Sequence, residues 1–454
     1  MMNSFIGLDI GTSAVKGVLL SEHGDILSVS CGEFEYYKDG SGVLMNPSHF
    51  VNTCFQVINN LCDALPKDCV IKAICPCCAS GSLLFLDQNC HPLTPIIGWQ
   101  SSIPESYYHN LYSEQKSQEI YETIGWGTLN GFPVALLPWI SRNRLDIIAN
   151  AHMICMAAEY LNYVLTRKWG ISHSMGTPFY LINQANGIYD TDILESLGIL
   201  ESQLPPIYNK GHILGDVVDN LEGLLLPSGT PVVLGSFDHP SCATGAGVYE
   251  PGEVLLSCGT SWVEFFPIKK RSDAIHTGLL VDRFMLDGSP YCVMSSITSF
   301  SMKINALRKH FFGNMSYEDF DKLACNGKMG CNGLRFCFDD SDFNKTIEEC
   351  KENIARAIYE SAGMELKKNL KKANAINLYS DKITMVGGVT NSPVCMQIIA
   401  DTLGKEIRVV NGVSAGAVGA AMLAGIGSKI FKTEKDAFSK LNFKETIYKP
   451  KCRS

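Results

Sequence analysis

Residues 5–10 form a short apolar run interrupted at Asp9, and residues 15–20 form a second one. Gly11-Thr12-Ser13 lies between them, which predicts strand, tight turn, strand. Residues 22–25 read as another turn and residues 26–30 as a third strand, so the chain opens on an antiparallel meander. Asn46-Pro47 then starts a helix, because proline suits the first helical position and an asparagine side chain can cap it. Phe50, Cys54, Val57, Leu61 and Leu65 recur at helical spacing behind it. Residues 70–75 and 83–86 read as strands, 153–165 and 190–197 as helices, and 231–235 as a buried strand.

A second meander follows, with strands over 253–257 and 262–266 and Gly259-Thr260-Ser261 near the turn. Leu8-Asp9-Ile10-Gly11-Thr12-Ser13 and Leu256-Ser257-Cys258-Gly259-Thr260-Ser261 thus echo one another. Each half of the chain opens alike, which points to a duplicated α/β domain. Residues 346–373 predict a long helix whose buried stripe is Ile347, Cys350, Ile354, Ile358, Ala362, Leu366 and Leu370. A strand at 383–386 runs into Gly387-Gly388, Ser392-Pro393 starts a helix ending at Gly404, and 407–410 is one more strand. Ser414 is expected to cap a final Gly/Ala-rich helix.

The length of 454 residues exceeds one ordinary core and suits two. Lys+Arg 38 against Asp+Glu 46 leaves a net charge of -8, the wrong sign for a chain that lives on nucleic-acid phosphates. Asp9 and Lys16 break the first apolar stretch, so it does not read as a secretory signal, and the expected location is the cytoplasm. The 18 cysteines are then expected to be reduced and mostly core residues. Cys75, Cys77 and Cys78 crowd together, but no second ligand pair at metal spacing accompanies them. The uncharged stretch 409–428 is long enough to span a membrane, yet its Asn411, Ser414 and several glycines suit a tightly packed buried segment better.

The chemistry concentrates at the turns. A Gly-Thr-Ser hairpin offers a phosphate close backbone approach, inward N–H groups and two hydroxyls. Asp9, two residues before Gly11, can hold a hydrated Mg²⁺, and Lys16 can neutralise phosphate charge. Gly387-Gly388 followed by Asn391 would let a flat ligand lie on the backbone while a polar side chain reaches a ribose. Asp238, at the end of a buried strand, is a candidate general base.

With these residues in this order and spacing, including Gly235-Ser236-Phe237-Asp238 and Met385-Val386-Gly387-Gly388-Val389-Thr390-Asn391-Ser392, the chain resembles the FGGY carbohydrate kinases over almost its whole length. The resemblance implies an α/β fold of two actin/Hsp70-like, ribonuclease H-like domains flanking a catalytic cleft, with residues 1–243 as the first and 244–454 as the second. It implies transfer of the ATP γ-phosphate to a hydroxyl of a small sugar, polyol or sugar acid, with ATP and Mg²⁺ required. Asp238 matches the catalytic base and Asp9 the residue that orients the metal. Gly11, Thr12 and Ser13 match one phosphate loop, and Gly259, Thr260 and Ser261 the other; together they would clamp Mg-ATP. Gly387, Gly388 and Asn391 fall in the adenosine segment. No nucleic-acid or membrane partner is expected, and a homodimer is compatible with the resemblance.

The departures from the family pattern cluster in the sugar half. Where many relatives carry Ser-Gly-Gln-Met-His-Gly, this chain has Cys77-Cys78-Ala79-Ser80-Gly81-Ser82, without the Gln and His. Where many carry Trp-x-Asp-x-Arg, Trp99 is followed by Gln100-Ser101-Ser102-Ile103. Ser172 stands in place of an aspartate. Ser80, Gly81, Trp99 and His239 are therefore the substrate-side candidates. The usual Pro-Tyr-Leu and Gly-Glu-Arg-x-Pro segments are missing from the second half, which reads as a deleted loop. The alternative expectation is a kinase-fold binding or regulatory protein that has lost activity on ordinary sugars.

Overall fold

The computed structural model describes residues 1–79, 81–286, 290–338 and 348–451. They form two compact units: Met1–Gly247, Ile268–Val293 and Gly416–Phe443 make the first, and Val248–Pro267, Met294–Ala415 and Lys444–Ser454 the second.

The opening meander is β1 (Met2–Ile10), β2 (Ala14–Ser21) and β3 (Ile26–Glu33). Helix α1 (Pro47–Asp63) follows, with Asn46 accepting backbone N–H groups from Ser48 and His49. Asn46→Ala should therefore lower unfolding stability by about 1 kcal/mol, read as a shift in the urea midpoint at unchanged slope. Strand β4 (Cys69–Cys78) pairs parallel to β1, and after a long excursion the chain returns as β5 (Ile213–Asp216) and β6 (Pro231–Val233). The sheet order is β5-β6-β4-β1-β2-β3.

The second unit repeats the plan. Strands β7 (Gly252–Cys258) and β8 (Trp262–Ile268) form an antiparallel hairpin, and β9 (Ser380–Gly387) lies parallel to β7. With β10 (Ile407–Val410) and β11 (Glu445–Tyr448), five consecutive strands of this sheet run β8-β7-β9-β10-β11. In both sheets the order is hairpin partner, central strand, two parallel strands and an antiparallel edge. The sequence echo at the two Gly-Thr-Ser turns thus marks a duplicated sheet.

Successive side chains of β1 face opposite sides of the sheet. Leu8 packs with Gly17 on the side covered by Val57 and Leu61 of α1. Phe5, Gly7 and Asp9 face the other side, where the Gly/Ala-rich helix lies, residues Ala415–Gly427. That helix approaches so closely that a Cβ on Gly7 would sit 2.0 Å from the Ala417 carbonyl oxygen. Its Ala417, Ala420, Ala421 and Ala424, together with Cys75 and Cys77 of β4, form one buried cluster with Phe5 and Val18. In the parallel register Cys75 and Cys77 neighbour Gly7 and Asp9, so the close helix accounts for small residues there. No disulfide joins the described cysteines, and the described residues hold no group of three His, Cys, Asp or Glu side chains placed to bind a metal. No described helix is long and apolar enough to cross a membrane.

Four local expectations need correction. Residues 153–165 split into a short strand, Met153–Cys155, and helix α2 (Ala157–Thr166), because the first three residues pair with Leu84–Leu86 instead of coiling. The first helix ends at Asp63, before Leu65. The long helix, α3 (Lys351–Ala375), begins only after Cys350, which is exposed and not part of the buried stripe. Thr346 and Ile347 lie outside the described residues. Ser414 belongs to a 3₁₀ turn, Gly412–Ser414, that leads directly into the Gly/Ala-rich helix.

Candidate active site

The two aspartates singled out by sequence sit together at one end of the first sheet. Beyond β6 the chain stays aligned with β4 through a bridge between Cys78 and Phe237. Phe237 also donates its backbone N–H to the Ser174 hydroxyl at 3.2 Å. Asp238 then opens the helix Asp238–Ala246, and its Oδ1 accepts the His239 backbone N–H at 2.7 Å. Its side chain is 22% exposed, open enough to meet a ligand. Burial raises its pKa above the usual carboxylate value, opposed by the charge and backbone N–H of His239.

Asp9 is the penultimate residue of β1, opposite Lys16 in β2 and next to Cys77 in β4. Its carboxylate rests against Gly416 in the first turn of the Gly/Ala-rich helix, where a Cβ would lie 2.2 Å from Oδ2. Burial, then the charges of Asp238 and Cys77, push the Asp9 pKa up to about 7 against the opposing charge of Lys16. The two carboxylates are thus electrostatic neighbours at the carboxyl ends of parallel strands, where α/β sheets bind ligands.

The turn after Asp9 is closed by the Gly11 N–H, which donates to the Ala14 carbonyl at 2.9 Å. Ser13 is exposed, but Thr12 is held on both sides. Its hydroxyl accepts the Trp99 indole N–H at 3.0 Å, and its carbonyl accepts the Tyr36 hydroxyl at 2.8 Å. Trp99 therefore ties its own segment to the first Gly-Thr-Ser turn.

From Trp99 a chain of rings runs to Asp238. Trp99 lies 5.8 Å from Phe132, Phe132 5.9 Å from Trp126, and Trp126 5.6 Å from Phe237, the residue before Asp238. His239 stands edge-on to Phe237 at 5.2 Å. Trp126 and Phe237 are buried, whereas Trp99, Phe132 and His239 are partly exposed. Gly81, at φ +82°, lies under the Phe132 ring, 2.7 Å from where its Cβ would be. Ser172 caps the helix His173–Phe179 by accepting the Met175 N–H and is buried. Ser80 lies outside the described residues. The sequence reading missed Phe132 and Trp126; their only local signal is aromatic residues set among Gly125, Gly127 and Gly131. A separate cavity of about 40 Å³, lined by Ile120, Leu137 and Tyr180 among others, includes neither carboxylate and is too small for a sugar.

In the second unit, Gly259 and Thr260 are exposed at the turn after β7. The backbone there is pinned by Ser301, whose hydroxyl donates to the Gly259 carbonyl at 2.6 Å and whose N–H donates to the Thr260 carbonyl. Ser261 is engaged differently, its hydroxyl accepting the Ser299 N–H at 3.0 Å. Gly387 adopts φ +97° against the Cys258 carbonyl, a position closed to any side chain. Gly388 has open space where a Cβ would stand, and both it and Asn391 are exposed in the turn Gly388–Asn391. That turn packs on the turn Gly412–Ser414, with Gly412 at φ +41° beside Thr390.

Comparison with known proteins gives a consistent result. The profile of the N-terminal domain of the FGGY family of carbohydrate kinases matches residues 4–245, and that of the C-terminal domain matches residues 331–428. The chain is 24% identical to a xylulose kinase of Staphylococcus epidermidis, with 98% of this chain and 92% of that protein covered. It is 24% identical to a gluconokinase of Bacillus subtilis, with 93% and 87% covered. The crystal structure of xylulose kinase from Rhodospirillum rubrum shares the fold at TM-score 0.84 and 22% identity, covering 98% of this chain and 94% of that one.

Proposed function

The chain belongs to the FGGY family of carbohydrate kinases and is a phosphotransferase, and we propose that it transfers the γ-phosphoryl group of ATP to one hydroxyl of a small sugar, polyol or sugar acid with Asp238 as general base. The observation that carries this reading is the placement of Asp238, partly open, beside Asp9 at the carboxyl ends of the strands.

Phosphoryl transfer asks a protein mainly for positioning and charge neutralisation. The acceptor hydroxyl oxygen attacks the γ-phosphorus, the bond to the β-phosphate oxygen breaks, and the hydroxyl proton passes to Asp238. Gly11, Thr12, Ser13, Gly259, Thr260 and Ser261 are the proposed phosphate contacts. Lys16 adds positive charge, and Gly387, Gly388 and Asn391 receive the adenosine. In the native setting this chemistry is assigned to the cytoplasm.

A carboxylate whose pKa is raised by burial and by a neighbouring carboxylate suits a divalent cation. Asp9 would hold Mg²⁺, which neutralises phosphate charge when bound. With the Asp9 pKa raised to about 7 in the cation-free protein, metal uptake must expel a proton at lower pH. The apparent affinity for Mg²⁺ with ATP should then fall on going from pH 8 to pH 6, by roughly tenfold. Calorimetry in buffers of different ionisation enthalpy checks this. Uptake at pH 6 with no proton released would remove Asp9 as a ligand.

The function is tested by acceptor-dependent ADP release across ketoses, polyols and sugar acids. At least one of them should raise ADP formation well above the acceptor-free rate. ATP binding without any acceptor response would favour the regulatory reading, which the altered segment Cys77-Cys78-Ala79-Ser80-Gly81-Ser82 keeps in view.

A further inference from the structure

One serine holds the second Gly-Thr-Ser turn, between β7 and β8, from behind. Ser301 stands in the first turn of the helix Phe300–Phe312. Its hydroxyl donates to the Gly259 carbonyl at 2.6 Å, and its backbone N–H donates to the Thr260 carbonyl at 3.2 Å. A third bond fixes the direction of the hydroxyl proton. The Trp262 indole N–H, which can only donate, reaches Ser301 Oγ at 2.9 Å. Oγ is the acceptor for Trp262, so its single proton is left for Gly259. Trp262 is buried, edge-on to the Phe300 ring at 4.8 Å.

In a planar trans peptide, the carbonyl of one residue and the N–H of the next point opposite ways. Ser301 draws the Gly259 and Thr260 carbonyls to its own side, so the N–H groups of Thr260 and Ser261 turn to the other. Neither is bonded to another described residue. The Ser261 hydroxyl proton is not spent on Ser299 either, since the Ser261 oxygen accepts the Ser299 N–H. Successive N–H groups on one side of a turn suit an anion. The first Gly-Thr-Ser turn is held in the same manner by its own neighbours. Its Thr12 carbonyl takes the Tyr36 hydroxyl at 2.8 Å, and its Ser13 carbonyl takes the Phe34 N–H at 2.9 Å.

We propose that Ser301 is a positioning residue for the nucleotide: its two bonds hold the Thr260 and Ser261 N–H groups toward the phosphates, so it sets affinity for the phosphate chain and not for the nucleoside. This rests on the kinase reading above, which takes the turn as a phosphate contact, and adds a residue that acts through the turn without touching ATP. Ser301→Ala keeps the N–H bond to Thr260 but removes the bond to Gly259. The peptide between Gly259 and Thr260 is then free to rotate, and the Thr260 N–H is no longer aimed in advance. Ser301→Thr keeps the hydroxyl and its proton.

The test is calorimetry of wild type, Ser301→Ala and Ser301→Thr with Mg-ATP and with adenosine, beside kinetics on an acceptor that the wild type uses. Ser301→Ala should bind Mg-ATP about tenfold more weakly and adenosine as the wild type does. Ser301→Thr should stay close to the wild type with both. KM for ATP should rise about tenfold in Ser301→Ala with kcat little changed. Damage to the fold alone would shrink the active fraction, lowering kcat at unchanged KM, and that result overturns the proposal. Unchanged ATP affinity in Ser301→Ala, an equal loss for ATP and adenosine, or a Ser301→Thr protein as weak as Ser301→Ala also overturns it. If Ser301→Ala does not fold, Ser301→Gly, which likewise keeps the N–H and lacks the hydroxyl, takes its place. A wild type that binds ATP but phosphorylates no acceptor defeats the kinase reading, and the ATP and adenosine affinities then decide the role of Ser301 by themselves.

Discussion

Asp238→Asn should lower acceptor-dependent turnover on the order of a thousand-fold while leaving ATP affinity close to that of the wild type. The amide keeps the size of the side chain and can still accept the His239 N–H, so the local fold should persist. It cannot take a proton from the acceptor hydroxyl. The substitution also removes a negative charge that raises the Asp9 pKa, so Asp9 should ionise more readily in the variant. Metal-nucleotide binding is then maintained or slightly improved, and the loss falls on kcat. Measured turnover within a few-fold of wild type would exclude Asp238 as the base.

The largest effect on stability is expected from Gly7→Ala. A Cβ at this position would stand 2.0 Å from the Ala417 carbonyl oxygen and 2.3 Å from the Ala421 nitrogen. Both are helix backbone, so no side-chain rotation relieves the overlap, and helix and strand must separate. Overpacking of this kind costs roughly 3 kcal/mol, a large share of a typical domain's net stability of about 5–15 kcal/mol. Because Asp9 lies two residues on and rests against Gly416 of the same helix, activity should fall with stability. Gly40→Ala is the control for adding a methyl group: the site has a positive φ, but a Cβ there meets nothing within 4 Å. Urea unfolding of both variants gives the comparison, and a Gly7→Ala midpoint equal to that of Gly40→Ala would refute the close-packing account.

What was legible in the sequence follows from the range of the forces involved. The β1–β2 hairpin, the Asn46 cap and the helix start at Ser392-Pro393 are local events, and hydrophobic spacing with turn residues was enough to place them. The duplication showed because both halves needed the same glycine turn after a central strand. The short strand Met153–Cys155 was missed because its apolar run fits a helix equally well, and only pairing with Leu84–Leu86 decides it. The chain of aromatic rings was missed for a stronger reason. Trp99, Trp126, Phe132 and Phe237 come from distant segments, and no spacing along the chain announces that they meet. The use of the Thr12 hydroxyl by Trp99 was equally invisible, since a hydroxyl in a turn looks free until its neighbour across the fold is known. Glycine conservation of space was half visible: the Gly/Ala-rich run suggested tight packing, but not that Gly416 would cradle Asp9.

The central claim is that phosphate moves from ATP to an acceptor hydroxyl at Asp238. Phosphorus NMR of the reaction mixture, with ATP, Mg²⁺ and a panel of ketoses, polyols and sugar acids, tests it most directly. The account predicts a new phosphate-ester signal that grows in step with ADP and is absent with Asp238→Asn. ADP accompanied only by inorganic phosphate, at a rate indifferent to every acceptor, would contradict it.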